Sequence, residues 1–164
     1  MAAGLLRARQ MGPGSVVVRS AGFGPPGEPA TPETVAVMAD VGIDLTEHRS
    51  ERVTAARCRN ADLVIGMTRQ HVIELVVLAP DAWPRIFPIV DLLRRGRQIG
   101  PRLEAESPPA WIRRAHGGRQ RSDLLRLPAD VDIADPIGQP MAAHRRTRDD
   151  LDRLTRELAE LLAL

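Results

Sequence analysis

The sequence predicts an α/β fold, a three-layer α/β/α arrangement with a small parallel sheet between helices. Three observations predict it. Short apolar or β-branched runs alternate with stretches of helical periodicity along the chain. One of those runs, ADLVIGM at Ala61–Met67, is apolar almost throughout, the pattern of a strand covered on both faces. The chain also closes on a long segment in which Leu151, Leu154, Leu158 and Leu161 recur at helical spacing, an apolar stripe for packing on a sheet.

A length of 164 residues predicts a single domain, 1–164, with one core. A hydrophobic share of 43% and a charged share of 27% are those of a soluble globular protein. No run of about 18 apolar residues is present, so no membrane partner is expected. The opening MAAGLLRARQMG is too short in its apolar part and too soon charged to be a secretory signal, so a cytoplasmic location is expected. All 23 basic residues are arginine and the net charge is only +2. The pI of 9.8 therefore reflects a small excess of a group that does not titrate in range. With aromatics at 2% and no tyrosine, a nucleic-acid partner is not expected. One cysteine, Cys58, excludes an internal disulfide and a multi-cysteine zinc site. Histidines 48, 71, 116 and 144 lack metal-ligand spacing, so neither metal nor cofactor is expected.

The elements follow in order. Met1–Gln10 reads as a helix stopped by Gly12-Pro13-Gly14. Ser15–Ala21, SVVVRSA, reads as a strand, and Gly22–Pro32 as a Gly/Pro loop. Thr31 is an N-cap with Pro32 in the first turn of a helix that carries Val35, Met38 and Ala39 on one face and ends near Gly42. Asp44–Ser50 is a polar connection, and Glu51–Asn60 holds a short helix. After the strand at 61–67 come a helix over Arg69–Leu78 ended by Pro80, a strand over Arg85–Ile89 and a helix over Val90–Arg97. Residues 100–128 read as an irregular Arg/Pro/Gly-rich insertion with a helical turn near Trp111–Ala115, and Arg145–Leu164 as the last helix. Three strands are expected, and the chain opens on a helix where a parallel sheet ordinarily opens on a strand and its ligand loop.

These pieces resemble the low-molecular-weight protein tyrosine phosphatases of bacterial type. The resemblance rests on MAAGLLR, VVVRSAGFG, GIDLTEHRSERVT, ADLVIGMTRQHV and DIADPIGQP, in order and at matching spacing across nearly the whole chain. It implies a first strand and a Cys-x5-Arg phosphate loop ahead of the segment that resembles Met1–Leu6. On that comparison this chain has its first strand missing and starts just downstream of the nucleophile, through a misassigned start or a true truncation.

What the resemblance implies for chemistry is specific. Phosphomonoester hydrolysis through a phosphocysteine needs a thiolate, donors around the phosphoryl oxygens, and an acid for the leaving oxygen. Asp135 matches the general acid, with Pro136 keeping it extended and Gly138 turning the loop. Read without the resemblance, Asp-Pro is a turn. Ser20 and His48 match supporting residues that hydrogen-bond the phosphate loop; by themselves they read as a strand-end hydroxyl and a loop histidine. Asp132 reads as loop structure, and Ile137 stands where an aromatic is frequent, which makes the substrate wall aliphatic. Cys58 does not replace the nucleophile: Val64, not arginine, lies six positions on, and a lone cysteine in a helix reads as a small buried filler. The basic run Trp111–Arg121 is either solvated surface or an edge for acidic or phosphorylated partners.

The expected function is therefore that of a protein-tyrosine-phosphatase-like hydrolase whose substrate, in intact members, is a phosphorylated protein or a small phosphomonoester. The chain as given lacks its nucleophile and is expected to be inactive. A remnant that only binds partners and an arsenate-reductase-like relative are the alternatives.

Overall fold

The computed structural model describes residues 1–9 and 16–164. They form two compact units, one of residues 1–9, 16–53, 134–160 and 164, the other of residues 54–133 and 161–163.

The second unit holds the sheet. Strand β1 (Val64–Gly66) pairs in parallel with β2 (Ile86–Pro88), Ile65 opposite Phe87. Parallel neighbours need a crossover between them, and α4 (Arg69–Leu78) supplies it. The side chain of Thr68 caps α4 by accepting from the His71 N–H at 3.1 Å. The helix ends before Pro80, as its sequence predicts. Gly66 is where the helix meets the strand: a Cβ there would lie 2.8 Å from Val72 Cγ2 and 3.3 Å from His71 Cβ. The fold class is thus the expected α/β with a small parallel sheet. The strand predicted over 61–67 shortens to three residues, with Val64 and Ile65 only half-buried, whereas β2 is buried throughout.

Helix α3 (Ala55–Asn60), capped by Thr54, buries Cys58. Helix α5 (Ile89–Ile99) follows β2 directly and buries Ile89, Leu92 and Leu93. The segment expected to be irregular over 100–128 apart from a helical turn near Trp111–Ala115 carries a nine-residue helix around that turn, α6 (Pro108–His116), and a 3₁₀ turn at Arg121–Arg126. Its start signal is present: Ser107 caps the Ala110 N–H and two prolines fill the first turn. Trp111, Ile112 and Ala115 face inward, and the Trp111 indole N–H donates to the Gly100 carbonyl at 2.9 Å.

The basic run is therefore only partly solvated surface: it is helical through His116, and Arg113, Gln120 and Arg121 are exposed while others turn inward. Arg114 ion-pairs with Glu106 at 2.8 Å, and Arg119 is buried. The Arg119 guanidinium carbon lies 4.0 Å from the centroids of both the Trp83 and the Phe87 rings, and its Nη1 donates to the Ile86 carbonyl at 3.0 Å. Burial pulls its pKa down to about 10 against the pull of Asp91. His116 stands edge-on to both rings in the same cluster.

In the first unit, α1 (Ala2–Ala8) buries Leu5, and Gly4 sits against Ile43, Met38 and Leu45. Thr31 caps α2 (Pro32–Ala39) by accepting from the Thr34 N–H at 3.3 Å, with Pro32 in the first turn as predicted. Its inward residues are Val37 and Met38 rather than Val35 and Ala39. Residues 22–29 are laced to 49–53: Gly22 N–H donates to Glu51 O at 2.9 Å, Val53 N–H to Gly22 O at 2.8 Å and Ser50 N–H to Glu28 O at 2.8 Å. The Ser50 hydroxyl donates to Pro25 O at 2.8 Å and accepts from the Glu28 N–H at 3.0 Å, so the Gly/Pro loop has a fixed course.

The strand predicted over Ser15–Ala21 does not form among the described residues 16–21, and Ser15 lies outside them, as do Gln10 and the Gly12-Pro13-Gly14 stop. β-branched residues hold an extended ladder only against a partner strand. Here the Val18 carbonyl is taken by a side chain, Arg7, through Nε at 3.0 Å and Nη2 at 2.8 Å, and Val17 is 80% exposed. The three strands expected are two among the described residues.

Helix α7 (Met141–Leu162) begins four residues earlier than its sequence pattern suggests and buries Leu151, Leu154 and Leu158. Arg148 on α7 donates to the Val37 carbonyl at 3.1 Å, and Arg9 pairs with Asp152. His144, only 1% exposed, has neither ring nitrogen hydrogen-bonded.

Two outcomes are expected. A buried donor or acceptor left without a partner costs roughly 1–3 kcal/mol. H144L removes that cost, and urea melts should show a gain within that range. The second concerns acid. Burial first, then the charges of Arg119 and Arg95, hold the His116 pKa below its ordinary 6.5. An imidazole depressed by folding contributes stability that is complete above the unfolded value and is lost as pH falls through the folded one. Melting temperature should thus begin to drop below about pH 6.5, before the carboxylates titrate, and H116Q should flatten that limb.

Candidate active site

The loop that carries Asp135 is built from its own backbone. Asp135 Oδ1 accepts from the Ile137 N–H at 3.0 Å, closing an Asx turn over Pro136. Gln139 N–H donates to the Pro136 carbonyl at 2.9 Å. Gly138 adopts φ +74°, a left-handed conformation in which a side chain would be strained. Pro136 is buried and fixes the backbone, while Asp135 is exposed and Ile137 is 65% exposed. One carboxylate oxygen of Asp135 is held by a backbone N–H while the residue stays exposed, an arrangement able to carry a proton to a leaving group.

Ser20 and His48 come together in the first unit. Both line a hollow of about 270 Å³, with Arg7, Arg19, Arg49 and Glu51. His48 also borders a larger hollow of about 480 Å³ that adds Asp44 and Glu47. Two of the guanidiniums are engaged. Arg7 is tied to Val18 O, and Arg49 Nη1 donates to the carbonyls of Thr46 at 3.0 Å and His48 at 2.8 Å. The loop bearing His48 is braced by Asp44, whose carboxylate takes the Thr46 N–H and hydroxyl, both at 2.8 Å. Those bonds hold the Asp44 pKa below its ordinary value. Asp135 is not among the residues lining either hollow.

Asp132, in the second unit, is the structural residue its sequence position suggests. Its carboxylate accepts from the Arg69 N–H at 2.7 Å and from Arg69 Nε and Nη2 at 3.0 and 2.9 Å. Burial pushes its pKa up, but these bonds outweigh it and hold the carboxyl below its ordinary value. The neighbouring Ile133 N–H donates to Met67 O at 2.8 Å, at the end of β1.

Cys58 is 2% exposed within α3. Burial lifts its pKa above the ordinary 9.0 despite the charge of Arg59, the reverse of what a nucleophilic thiol needs. Among the described residues no group of three or more His, Cys, Asp or Glu side chains could hold a metal, and no helix is long and apolar enough to cross a membrane. Sequence reading passed over Arg7, whose bond to Val18 spans eleven positions and belongs to no motif.

Comparison with known proteins gives this geometry its context. Residues 1–100 match the family described as low molecular weight phosphotyrosine protein phosphatase. The chain is 38% identical over 93 residues to the probable low molecular weight protein-tyrosine-phosphatase EpsP of Ralstonia solanacearum, covering 56% of this chain and 62% of that protein. The match to EpsP of Ralstonia nicotianae spans 45% of that protein. It is 29% identical over 163 residues to the protein-arginine-phosphatase of Geobacillus stearothermophilus, covering 99% of this chain and 86% of that one. Among solved structures, the YwlE arginine phosphatase of Geobacillus stearothermophilus superposes with a TM-score of 0.69 at 29% identity, over 97% of this chain and 80% of that one. A low molecular weight protein tyrosine phosphatase from T. tengcongensis gives 0.67 at 25% identity, over 98% and 88%. The matched family, spanning the hollow that Ser20 and His48 share, settles the assignment: the chain belongs to the low molecular weight protein tyrosine phosphatase family.

Proposed function

We propose that these 164 residues form the body of a cytoplasmic phosphatase domain that hydrolyses phosphomonoesters on phosphorylated proteins, with Asp135 as general acid. The observation that carries this reading is the Asp135 turn. Its exposed carboxyl is fixed by the Ile137 N–H in front of a buried proline. In the first half-reaction Asp135 gives its proton to the leaving oxygen; in the second it takes one from the water that releases phosphate. Pro136 sets the direction of the carboxyl, and Ser20 and His48 support the loop that holds the phosphoryl group.

A phosphocysteine mechanism needs an accessible thiolate. Cys58 is sealed in α3, and no Cys-x5-Arg segment occurs in the sequence given. The 164 residues alone are therefore inactive in this reading. The substrate side chain has two candidates. Phosphotyrosine follows from the family and from EpsP. Phosphoarginine, a phosphoramidate in which Asp135 gives its proton to the leaving guanidinium nitrogen as the P–N bond breaks, is favoured by the extent of the match to the Geobacillus enzyme, 99% of this chain against 56% for EpsP, and the aliphatic Ile137 beside the acid suits a non-aromatic stem.

The test has two arms. The purified 164-residue chain should not hydrolyse para-nitrophenyl phosphate; turnover lost in D135N would overturn the proposal. With a Cys-x5-Arg phosphate loop supplied ahead of residue 1, D135N should lower kcat by about 10²–10⁴-fold. The loss should be smaller for a leaving group that departs readily as its anion. Parallel assays on phosphotyrosyl and phosphoarginyl peptides then assign the side chain.

A further inference from the structure

We propose that Thr147 is the positioning residue of the Asp135 loop, fixing the peptide that precedes the acid. For its catalytic meaning this rests on the reading of Asp135 given above.

Thr147 lies on α7, 7% exposed, and its hydroxyl donates to the Ala134 carbonyl at 3.3 Å, thirteen positions back in the sequence. Buried threonines in helices ordinarily return the hydroxyl to the carbonyl one turn earlier. Thr155, on the same helix and 2% exposed, does so, donating to Leu151 O at 2.7 Å. Thr147 sends its proton across to the loop instead. Just ahead of the loop, Asp132 and Ile133 are held at the end of β1. Among the described residues, the other hydrogen bonds of the loop, positions 134–139, are internal: the Ile137 N–H donates to Asp135 Oδ1 and the Gln139 N–H to the Pro136 carbonyl. They set its shape but do not fix that shape to the helix.

The Ala134 carbonyl belongs to the peptide whose nitrogen is that of Asp135. Holding it restricts ψ of Ala134 and φ of Asp135, the rotations that swing the Asp135 Cα–Cβ bond. Pro136 already restricts the backbone of Asp135 from the other side. Thr147 thus removes the freedom that the proline leaves, and the Asp135 carboxyl keeps one direction without a ligand present.

The test is backbone dynamics in the 164-residue chain, comparing wild type, T147V and T147S by ¹⁵N relaxation. In the wild type the amides of Asp135 and Ile137 should have order parameters near 0.85, those of rigid backbone. T147V, which keeps the shape and removes the proton, should bring both to about 0.6 or below, with Leu151 and Leu154 unchanged. T147S, which restores the hydroxyl, should restore both. Should T147V fail to fold, T147A is read by the same criteria. Unchanged order parameters at 135 and 137 in the hydroxyl-free variant, or no recovery in T147S, overturn the proposal. Because the readout is motion and not turnover, it stands apart from the acid role. If D135N proves harmless in the competent enzyme while T147V loosens the loop, only the catalytic reading falls.

Discussion

Three residues of parallel ladder govern the second unit. Pairing Val64–Gly66 with Ile86–Pro88 in the same direction obliges the chain to travel the length of the sheet between them, and α4 is that return. The helix comes close enough that only glycine fits at position 66. Its first residue, Arg69, then presents backbone N–H and guanidinium together to one carboxylate, Asp132. The charge-assisted contacts and the Ile133–Met67 backbone bond fix residues 132 and 133 at the end of β1. A short ladder thereby fixes a place on the chain more than sixty residues downstream.

The extent to which this was legible varies with how local each cause is. The Thr31 cap with Pro32 and the α4 boundaries were readable because start and stop signals lie within a few residues of what they control. The strand expected at 15–21 failed for the opposite reason. Its β-branched run is a preference that a ladder must satisfy, and the carbonyl of Val18 found Arg7 instead. Helix α6 was legible only as a turn near Trp111–Ala115: among arginines, prolines and glycines its Ser-Pro-Pro start was passed over. Arg119 could not be read at all, because its aromatic partners, Trp83 and Phe87, stand more than thirty positions earlier.

The site divides in the same way. Asp135 and Pro136 are adjacent, and their turn is a property of a few residues. Ser20 and His48 were visible through a resemblance, and the structure puts both on one hollow, a juxtaposition that no spacing in the sequence encodes. The part played by Thr147 had no local sign, since a threonine in a helix gives no indication of where its proton goes.

The burial of Cys58 has a consequence for handling the molecule. The only sulfhydryl in these 164 residues sits inside a six-residue helix with almost none of its surface open to solvent. A maleimide or disulfide reagent reaches it only when α3 opens. Labelling kinetics would therefore time the breathing of that helix, and a thiol-directed oxidant would find Cys58 covered in the native state.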